Sequence, residues 1–130
     1  MSAPVRSQVL PPSQLVAIVD DDPGVRGSIV SLLRSAGLTG VQFNEGGALL
    51  ASPQLEGFSC IVTDVHMDGV DGRELQEELN RRGCAHPLIV MTAFPTSPVR
   101  EQMLACGARA FLTKPVDPDT LLEAIADAIG

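Results

Sequence analysis

Acidic, hydroxyl and basic side chains follow four short apolar runs in this sequence. Asp20 to Asp22 follow the first run, and Asp64, Thr92 and Lys114 stand at the ends of three later ones. Carboxylates about 4 Å apart repel by about 4 kcal/mol at an effective dielectric constant of about 20, so several together need a counter-charge. Oxygen ligands favour a hard divalent cation, magnesium with manganese as an alternative. With Thr92 as a hydroxyl donor and Lys114 as a second positive charge on the far side, the set suits phosphoryl transfer.

Five strands that alternate with helices are predicted to position these side chains. The predicted strands are residues 15–19, 38–43, 58–63, 87–91 and 108–112, of which the second has the weaker signal. An amphipathic or capped segment follows four of them, and a short, poorly signalled helix near residues 46–50 follows the second. This alternation predicts an α/β fold of (βα)5 type, with a parallel sheet and helices on both faces. The carboxyl ends of parallel strands share one edge of the sheet, so the polar residues are expected to converge there.

Each of these residues also has a plainer interpretation when it is taken alone. Asp22 before Pro23 is typical of a helix N-cap, and Asp117 before Pro118 repeats that pattern. Asp20, Asp21 and Asp64 could each be solvated turn residues, and Lys114 a surface lysine. Their joint placement at strand ends favours the functional interpretation.

The composition excludes several classes of partner and site. The 130 residues carry a formal net charge of -7, which argues against direct binding of nucleic acid or an anionic membrane surface. Cys60, Cys84 and Cys106 form no C-x-x-C pair and suggest neither a disulfide framework nor a zinc site. Cys60, within an apolar run, is expected to be a small buried hydrophobic residue.

The chain is expected to hold one domain and to work in the cytoplasm. Residues 1–14 contain Pro, Ser and Gln without the apolar segment of a signal peptide, and we predict a flexible N-terminal tail there. Residues 15–130 form the predicted domain. No run approaches the eighteen apolar residues typical of a membrane span, and free cysteines suit a reducing compartment.

Four motifs resemble the response-regulator receiver domain of two-component signalling. They are "VAIVDDD", "CIVTDVHMDGVDG", "PLIVMTA" and "GARAFLTKP", in the order and at the spacings of that family. The resemblance runs from about Leu15 to Ile129. It implies a flavodoxin-like, doubly wound parallel sheet of five strands in the order 2-1-3-4-5, and a signalling phosphoacceptor that is not an enzyme but assists its own phosphorylation and dephosphorylation.

The resemblance also implies a phosphoacceptor and a metal site. Asp64 resembles the aspartate that a sensor histidine kinase phosphorylates. Asp21 resembles the direct magnesium ligand and Asp20 the ligand that acts through water, while the backbone carbonyl of His66 completes the protein's share.

The switch residues are implied in the same way. Thr92 resembles the hydroxyl that turns toward the phosphoryl group, Lys114 the lysine that pairs with it, and Phe111 the aromatic switch. The peptide bond between Lys114 and Pro115 is expected to be cis, which would aim the lysine inward.

The loop after Asp64 departs from the family pattern. Asp68 stands where the family usually has proline, so this loop lacks a rigid element and carries one more negative charge. The side chain of His66 flanks the pocket, either as a metal ligand or as a solvent-facing residue that tunes access of water. We predict that His66 and Asp68 modulate the lifetime of the phosphoryl group.

The resemblance implies protein partners for phosphorylation and for output. A sensor histidine kinase or a histidine phosphotransfer protein would donate the phosphoryl group. A downstream protein would bind the surface of the fourth helix, fifth strand and fifth helix, near Met103, Leu112 and Leu122. A homodimer through that surface and a simple phosphorelay are alternatives.

Three other interpretations of the whole chain stay open at this point. The sequence could be the receiver domain of a longer transcriptional regulator whose output domain is absent. A haloacid-dehalogenase-like phosphatase also uses an aspartyl phosphate, magnesium and a lysine, although its nucleophile follows the first strand. A flavodoxin-like cofactor binder needs Ser, Thr and Gly in its first loop, where three aspartates would repel phosphate.

Overall fold

Five strands and five helices alternate along the chain in the computed structural model, which describes residues 14–130. The strands β1 to β5 are Leu15–Val19, Thr39–Phe43, Phe58–Asp64, Leu88–Thr92 and Ala110–Thr113. The helices α1 to α5 are Pro23–Ser35, Gly46–Leu50, Gly72–Arg81, Ser97–Ala105 and Pro118–Ile129, with a 3-10 turn at Leu55–Gly57. Of the predicted tail, residues 1–13 lie outside the described residues.

All five strands pair in parallel in the order β2-β1-β3-β4-β5, which confirms the predicted topology. The sheet therefore places β1 and β3 side by side at its centre, and their carboxyl ends share one edge. Within residues 14–130, no helix combines the length and the apolar character that crossing a membrane requires.

Apolar side chains cover both faces of the sheet. On one face, α1 and α5 pack through Ile29, Leu33, Leu121 and Ile125 against alternate strand residues. On the other face, the core includes Leu49 of α2, Leu75 and Leu79 of α3, and Met103 of α4. Burial on two sides explains why β1, β3 and β4 are almost continuously apolar in sequence.

Two predicted helix caps and one buried thiol are confirmed. The Asp22 carboxylate accepts a hydrogen bond from the Gly24 N–H at 2.8 Å, and the Asp117 carboxylate accepts one from the Thr120 N–H at 2.9 Å. Cys60 is fully buried. Desolvation raises the pKa of its thiol to about 12, so Cys60 acts as a small apolar residue.

Strand boundaries differ slightly from the sequence prediction. Asp64 and Thr92 are the last residues of β3 and β4, since Asp64 pairs with Met91 and Thr92 with Thr113. β5 begins at Ala110 rather than 108, because the Ala108 N–H is used by the turn that ends α4, where it donates to the Met103 carbonyl at 3.0 Å.

Candidate functional site

Three carboxylates converge at the carboxyl ends of β1 and β3. Asp20, Asp21 and Asp64 each offer an oxygen atom that lies within 4.8 Å of the others. Asp20 is fully buried and Asp64 almost so, whereas Asp21 is exposed. The parallel pairing of Val19 with Thr63 produces this convergence, because it brings the next residues, Asp20 and Asp64, to the same level.

Lys114 joins this cluster directly. Its Nζ donates to Asp20 Oδ2 at 2.7 Å and to Asp64 Oδ2 at 3.1 Å. These two acidic partners hold the ammonium beside the carboxylates. Lys114 is also the only lysine of the chain. The Lys114–Pro115 peptide bond is cis, as expected.

Charge in the cluster shifts two pKa values. Partial desolvation acts to lower the pKa of Lys114, but its hydrogen bonds to Asp20 and Asp64 outweigh that effect and raise the pKa above its usual value. The pKa of Asp21 is raised by desolvation and by the negative charges of Asp20, Asp64 and, more weakly, Asp68. Lys114 therefore stays protonated. Its ammonium bonds to Asp20 and Asp64, so the charge of Asp21 is the one without a direct counter-charge in the cluster.

The backbone around Asp20 is fixed by two further contacts. The Asp22 N–H donates to Asp20 Oδ1 at 2.9 Å. Arg26 donates from its guanidinium to the Asp20 carbonyl at 2.5 Å and to Gln42 Oε1 at 3.1 Å. Sequence reasoning missed Arg26; its place in the first turn of α1, four residues after Asp22, was the available signal.

The loop that follows Asp64 folds closely around it. The His66 N–H donates to Asp64 Oδ1 at 3.3 Å, and the Gly72 N–H donates to the Val65 carbonyl at 3.0 Å. A Cβ atom on Gly72 would lie 2.4 Å from the Asp64 carbonyl oxygen. Only glycine leaves room for α3 to begin this close to the end of β3.

Thr92 lies at the same edge, at the end of β4. It is fully buried, and its Oγ1 accepts a hydrogen bond from the Phe94 N–H at 3.0 Å. Phe94 is 72% exposed, the one large apolar side chain exposed in the described part of the chain. Its ring meets the His66 ring edge to face, with centroids 5.9 Å apart. Sequence reasoning missed Phe94, for which the only signal was an aromatic residue two positions after Thr92.

The aromatic and readout residues lie apart from this polar cluster. Phe111 is half-buried and packs with the apolar core that contains Met103 and Ala108. Leu112 and Leu122 are half-buried on the opposite face of the sheet. The expectation that Met103 contributes to an outer readout surface was wrong, because its side chain is completely buried under α4.

The donor set fits a hard divalent cation. The site brings together three carboxyl groups and a single ammonium group, so acidic side chains outnumber the basic one. Among residues 14–130, the side chains grouped closely enough to share a cation are the carboxylates of Asp20, Asp21 and Asp64, and the His66 side chain is not in that group. Carboxylate oxygens with room for water are the ligands that magnesium prefers in proteins.

Comparison with known proteins places this geometry in context. A protein-family sequence model, that of the response regulator receiver domain, matches residues 16–126. Transcriptional regulatory protein FixJ of Azorhizobium caulinodans is 39% identical over 121 residues, covering 93% of this chain and 57% of that protein. FixJ of Bradyrhizobium diazoefficiens is 36% identical over 115 residues, covering 88% of this chain and 56% of that protein. The chain thus spans about half the length of these curated relatives.

A solved structure agrees with the sequence relatives. The crystal structure of FixJ-N superposes with a TM-score of 0.80 at 30% identity, covering 90% of this chain and 94% of that chain. The family match extends over nearly all of the described residues. It therefore favours the receiver interpretation over the phosphatase and the flavodoxin-like cofactor binder.

Proposed function

The chain belongs to the response regulator receiver domain family, and from this premise we propose that Asp64 is its phosphoacceptor. One observation carries the proposal: the nearly buried Asp64 carboxylate lies 3.1 Å from the only lysine of the chain and beside the carboxylates of Asp20 and Asp21. The donor is a phosphohistidine of a sensor histidine kinase or of a histidine phosphotransfer protein.

The transfer moves one phosphoryl group from nitrogen to oxygen. A carboxylate oxygen of Asp64 attacks phosphorus, the new O–P bond forms, the N–P bond of the phosphohistidine breaks, and the imidazole nitrogen recovers its electron pair and takes up a proton from water. Lys114 stays protonated and stabilises the negative charge on the phosphoryl oxygens. Hydrolysis by water later restores the carboxylate and releases phosphate.

We assign the metal site to Asp20, Asp21, Asp64 and the backbone carbonyl of His66. When bound, magnesium or manganese supplies positive charge to the phosphoryl oxygens. Asp21 would be stabilised by this positive charge, because desolvation and then the negative charges of Asp20 and Asp64 raise its pKa. The contacts of Asp20 with the Asp22 N–H and of its carbonyl with Arg26 hold the β1 end of the site in place.

The switch residues respond to the new charge. The hydroxyl of Thr92 turns to donate to a phosphoryl oxygen, and the loop from Ala93 to Thr96 moves with it through the bond between Thr92 Oγ1 and the Phe94 N–H. Phe111 then takes a second orientation in β5. The surface of α4, β5 and α5, including Leu112 and Leu122, carries the output.

The output is a protein contact, either with a downstream target or with a second copy of the domain. Relatives at 36–39% identity are transcriptional regulatory proteins of which the aligned region covers only 56–57%, so a regulator with a separate output domain is the second candidate. A cytoplasmic setting agrees with the three free cysteines.

Intact-mass measurement tests the central assignment. The protein is incubated with magnesium and acetyl phosphate, and the wild type is expected to gain the mass of one phosphoryl group. Asp64→Asn should gain none, whereas Asp68→Asn, which removes an exposed carboxylate from the same loop, should still gain it. A wild type without the adduct, or an Asp64→Asn variant that retains it, overturns the proposal.

A further inference from the structure

The acceptor loop, residues 65–71 between β3 and α3, is held by a residue from another loop. Asp68 stands in it where the family resemblance leads one to expect proline, so the loop lacks that covalent restraint. Glu45, which lies between β2 and α2, reaches across to the acceptor loop instead.

Glu45 makes two hydrogen bonds with a single carboxylate oxygen. Its Oε1 accepts from the Gly47 N–H at 2.6 Å, which caps α2, and from the Val70 N–H at 3.2 Å. The Gly46 N–H returns a bond to the Val70 carbonyl at 3.0 Å. Both backbone groups of Val70 are therefore tied to the loop that contains Glu45.

The two loops are also packed without spare room. A Cβ atom on Gly46 would lie 2.8 Å from the Val70 carbonyl oxygen, and one on Gly69 would lie 3.0 Å from Glu45 Oε1. Gly69 has φ of +75°, a left-handed conformation that suits glycine. The carboxylate of Glu45 thus fills the space under this turn and bonds to its next N–H.

This tie bears directly on the phosphoacceptor. The acceptor loop is closed by the bond from the Gly72 N–H to the Val65 carbonyl. His66 is the next residue in the loop, and its N–H donates to Asp64 Oδ1. Holding Val70 therefore restricts the backbone of His66, whose N–H contacts Asp64 and whose carbonyl is the assigned metal ligand.

We propose that Glu45 is a positioning residue that fixes the acceptor loop through Val70 and so keeps the His66 backbone in place for metal binding and phosphorylation. The inference rests on the proposed function of Asp64. Glu45 itself touches neither the phosphoryl group nor the metal. In this chain, a side-chain hydrogen bond from a neighbouring loop does what a proline does within the loop.

Two substitutions separate the tie from the charge and from the helix cap. Glu45→Asp keeps the charge and the cap on Gly47, but its carboxylate falls short of Val70 by about 1.5 Å, the length of one carbon–carbon bond. Glu45→Gln loses the charge but keeps an acceptor oxygen at full reach. If Glu45 acted through its charge alone, Glu45→Gln would have the larger effect. If it acted only as the cap of α2, neither substitution would affect Val70.

The first measurement is amide hydrogen exchange of Val70 by NMR, which needs no metal and no phosphoryl donor. Exchange is expected to be about tenfold faster in Glu45→Asp than in the wild type, and close to the wild type in Glu45→Gln. Equal exchange in Glu45→Asp and the wild type overturns the tie.

The second measurement is the magnesium concentration that gives half-maximal phosphorylation by acetyl phosphate. It should rise about tenfold in Glu45→Asp, as expected for a residue that orients a metal ligand, and stay within about twofold of the wild type in Glu45→Gln. Faster Val70 exchange with unchanged magnesium dependence overturns the positioning role. A wild type that takes up no phosphoryl group instead refutes the proposed function, and with it the positioning role, whatever the Val70 exchange shows.

Discussion

Lys114 Nζ lies 2.7 Å from Asp20 Oδ2, so the one lysine of the chain is paired with a fully buried carboxylate 94 residues away. The ammonium also reaches Asp64 at 3.1 Å. An ion pair of this kind is costly to break from one side only, because the partner charge is left buried and uncompensated. The pair therefore links the stability of the domain to the same charges that handle the phosphoryl group.

Lys114→Met is expected to destabilise the metal-free protein by about 3 kcal/mol, since Asp20 and Asp64 lose their counter-charge. Magnesium should recover part of that loss in the variant. Urea denaturation with a chelator and then with magnesium measures both effects. Arg100→Met removes an exposed cation from α4 and should leave the free energy of unfolding nearly unchanged; equal losses in the two variants would contradict the prediction.

The raised pKa of Lys114 predicts a loss of stability at alkaline pH. A folded-state pKa above the unfolded value of 10.5 means that the contribution is fully present below pH 10.5 and is lost as the pH rises through the folded-state value. Thermal unfolding of the wild type should show this loss, and Lys114→Met should lack it. Parallel profiles for the two proteins would argue against the ion pair.

Asp21→Asn is expected to stabilise the metal-free protein slightly at neutral pH. The folded-state pKa of Asp21 is raised above 3.8, so its stabilising contribution is present below pH 3.8 and is lost as the pH rises through the folded-state value. Because Asp21 is exposed, the gain should be below about 1 kcal/mol. With magnesium, the wild type should become more stable than Asp21→Asn, since the variant lacks one of the proposed metal ligands. Melting temperatures with chelator and with magnesium measure both signs, and Glu101→Gln is an exposed control.

The contact between His66 and Phe94 is expected to shield the phosphorylated Asp64 from water. Their rings meet edge to face across two loops, so His66→Ala and Phe94→Ala should each speed dephosphorylation several-fold. The double variant should dephosphorylate little faster than either single variant, because both substitutions remove the same ring contact. Asp68→Pro should lengthen the lifetime, since it removes a negative charge and restrains the loop. Phosphate release after removal of the donor measures the rates, and unchanged rates in His66→Ala and Asp68→Pro would refute the role of both residues.

Gly72→Ala is expected to destabilise the domain by about 1 to 3 kcal/mol, because its Cβ would meet the Asp64 carbonyl oxygen at 2.4 Å and backbone atoms cannot move aside cheaply. Gly27→Ala in α1 is the matched substitution, since a Cβ there meets nothing within 4 Å. It should stabilise the domain by about 0.5 to 1 kcal/mol through helix propensity. Urea denaturation distinguishes the two, and equal signs would contradict the prediction.

The elements were predictable because their signals are local. Continuous apolar runs marked β1, β3 and β4, and Asp-Pro pairs marked the starts of α1 and α5. The boundaries were less predictable where a backbone group has a distant partner, as for Thr92, which pairs with Thr113 across the sheet. Met103 was misplaced for the same reason, since helical spacing alone does not say which face of α4 the sheet covers.

The sequence by itself determined which side chains meet at one edge of the sheet. Asp64 and Thr92 are the last residues of their strands, Asp20 and Lys114 directly follow theirs, and parallel strands share that edge. Only the tertiary structure decided the partners: Lys114 with Asp20 across 94 residues, and Glu45 with Val70 across 25. Hydrogen bonds need donor and acceptor atoms within about 3.5 Å, and such distances depend on rotamers and packing that no local pattern encodes.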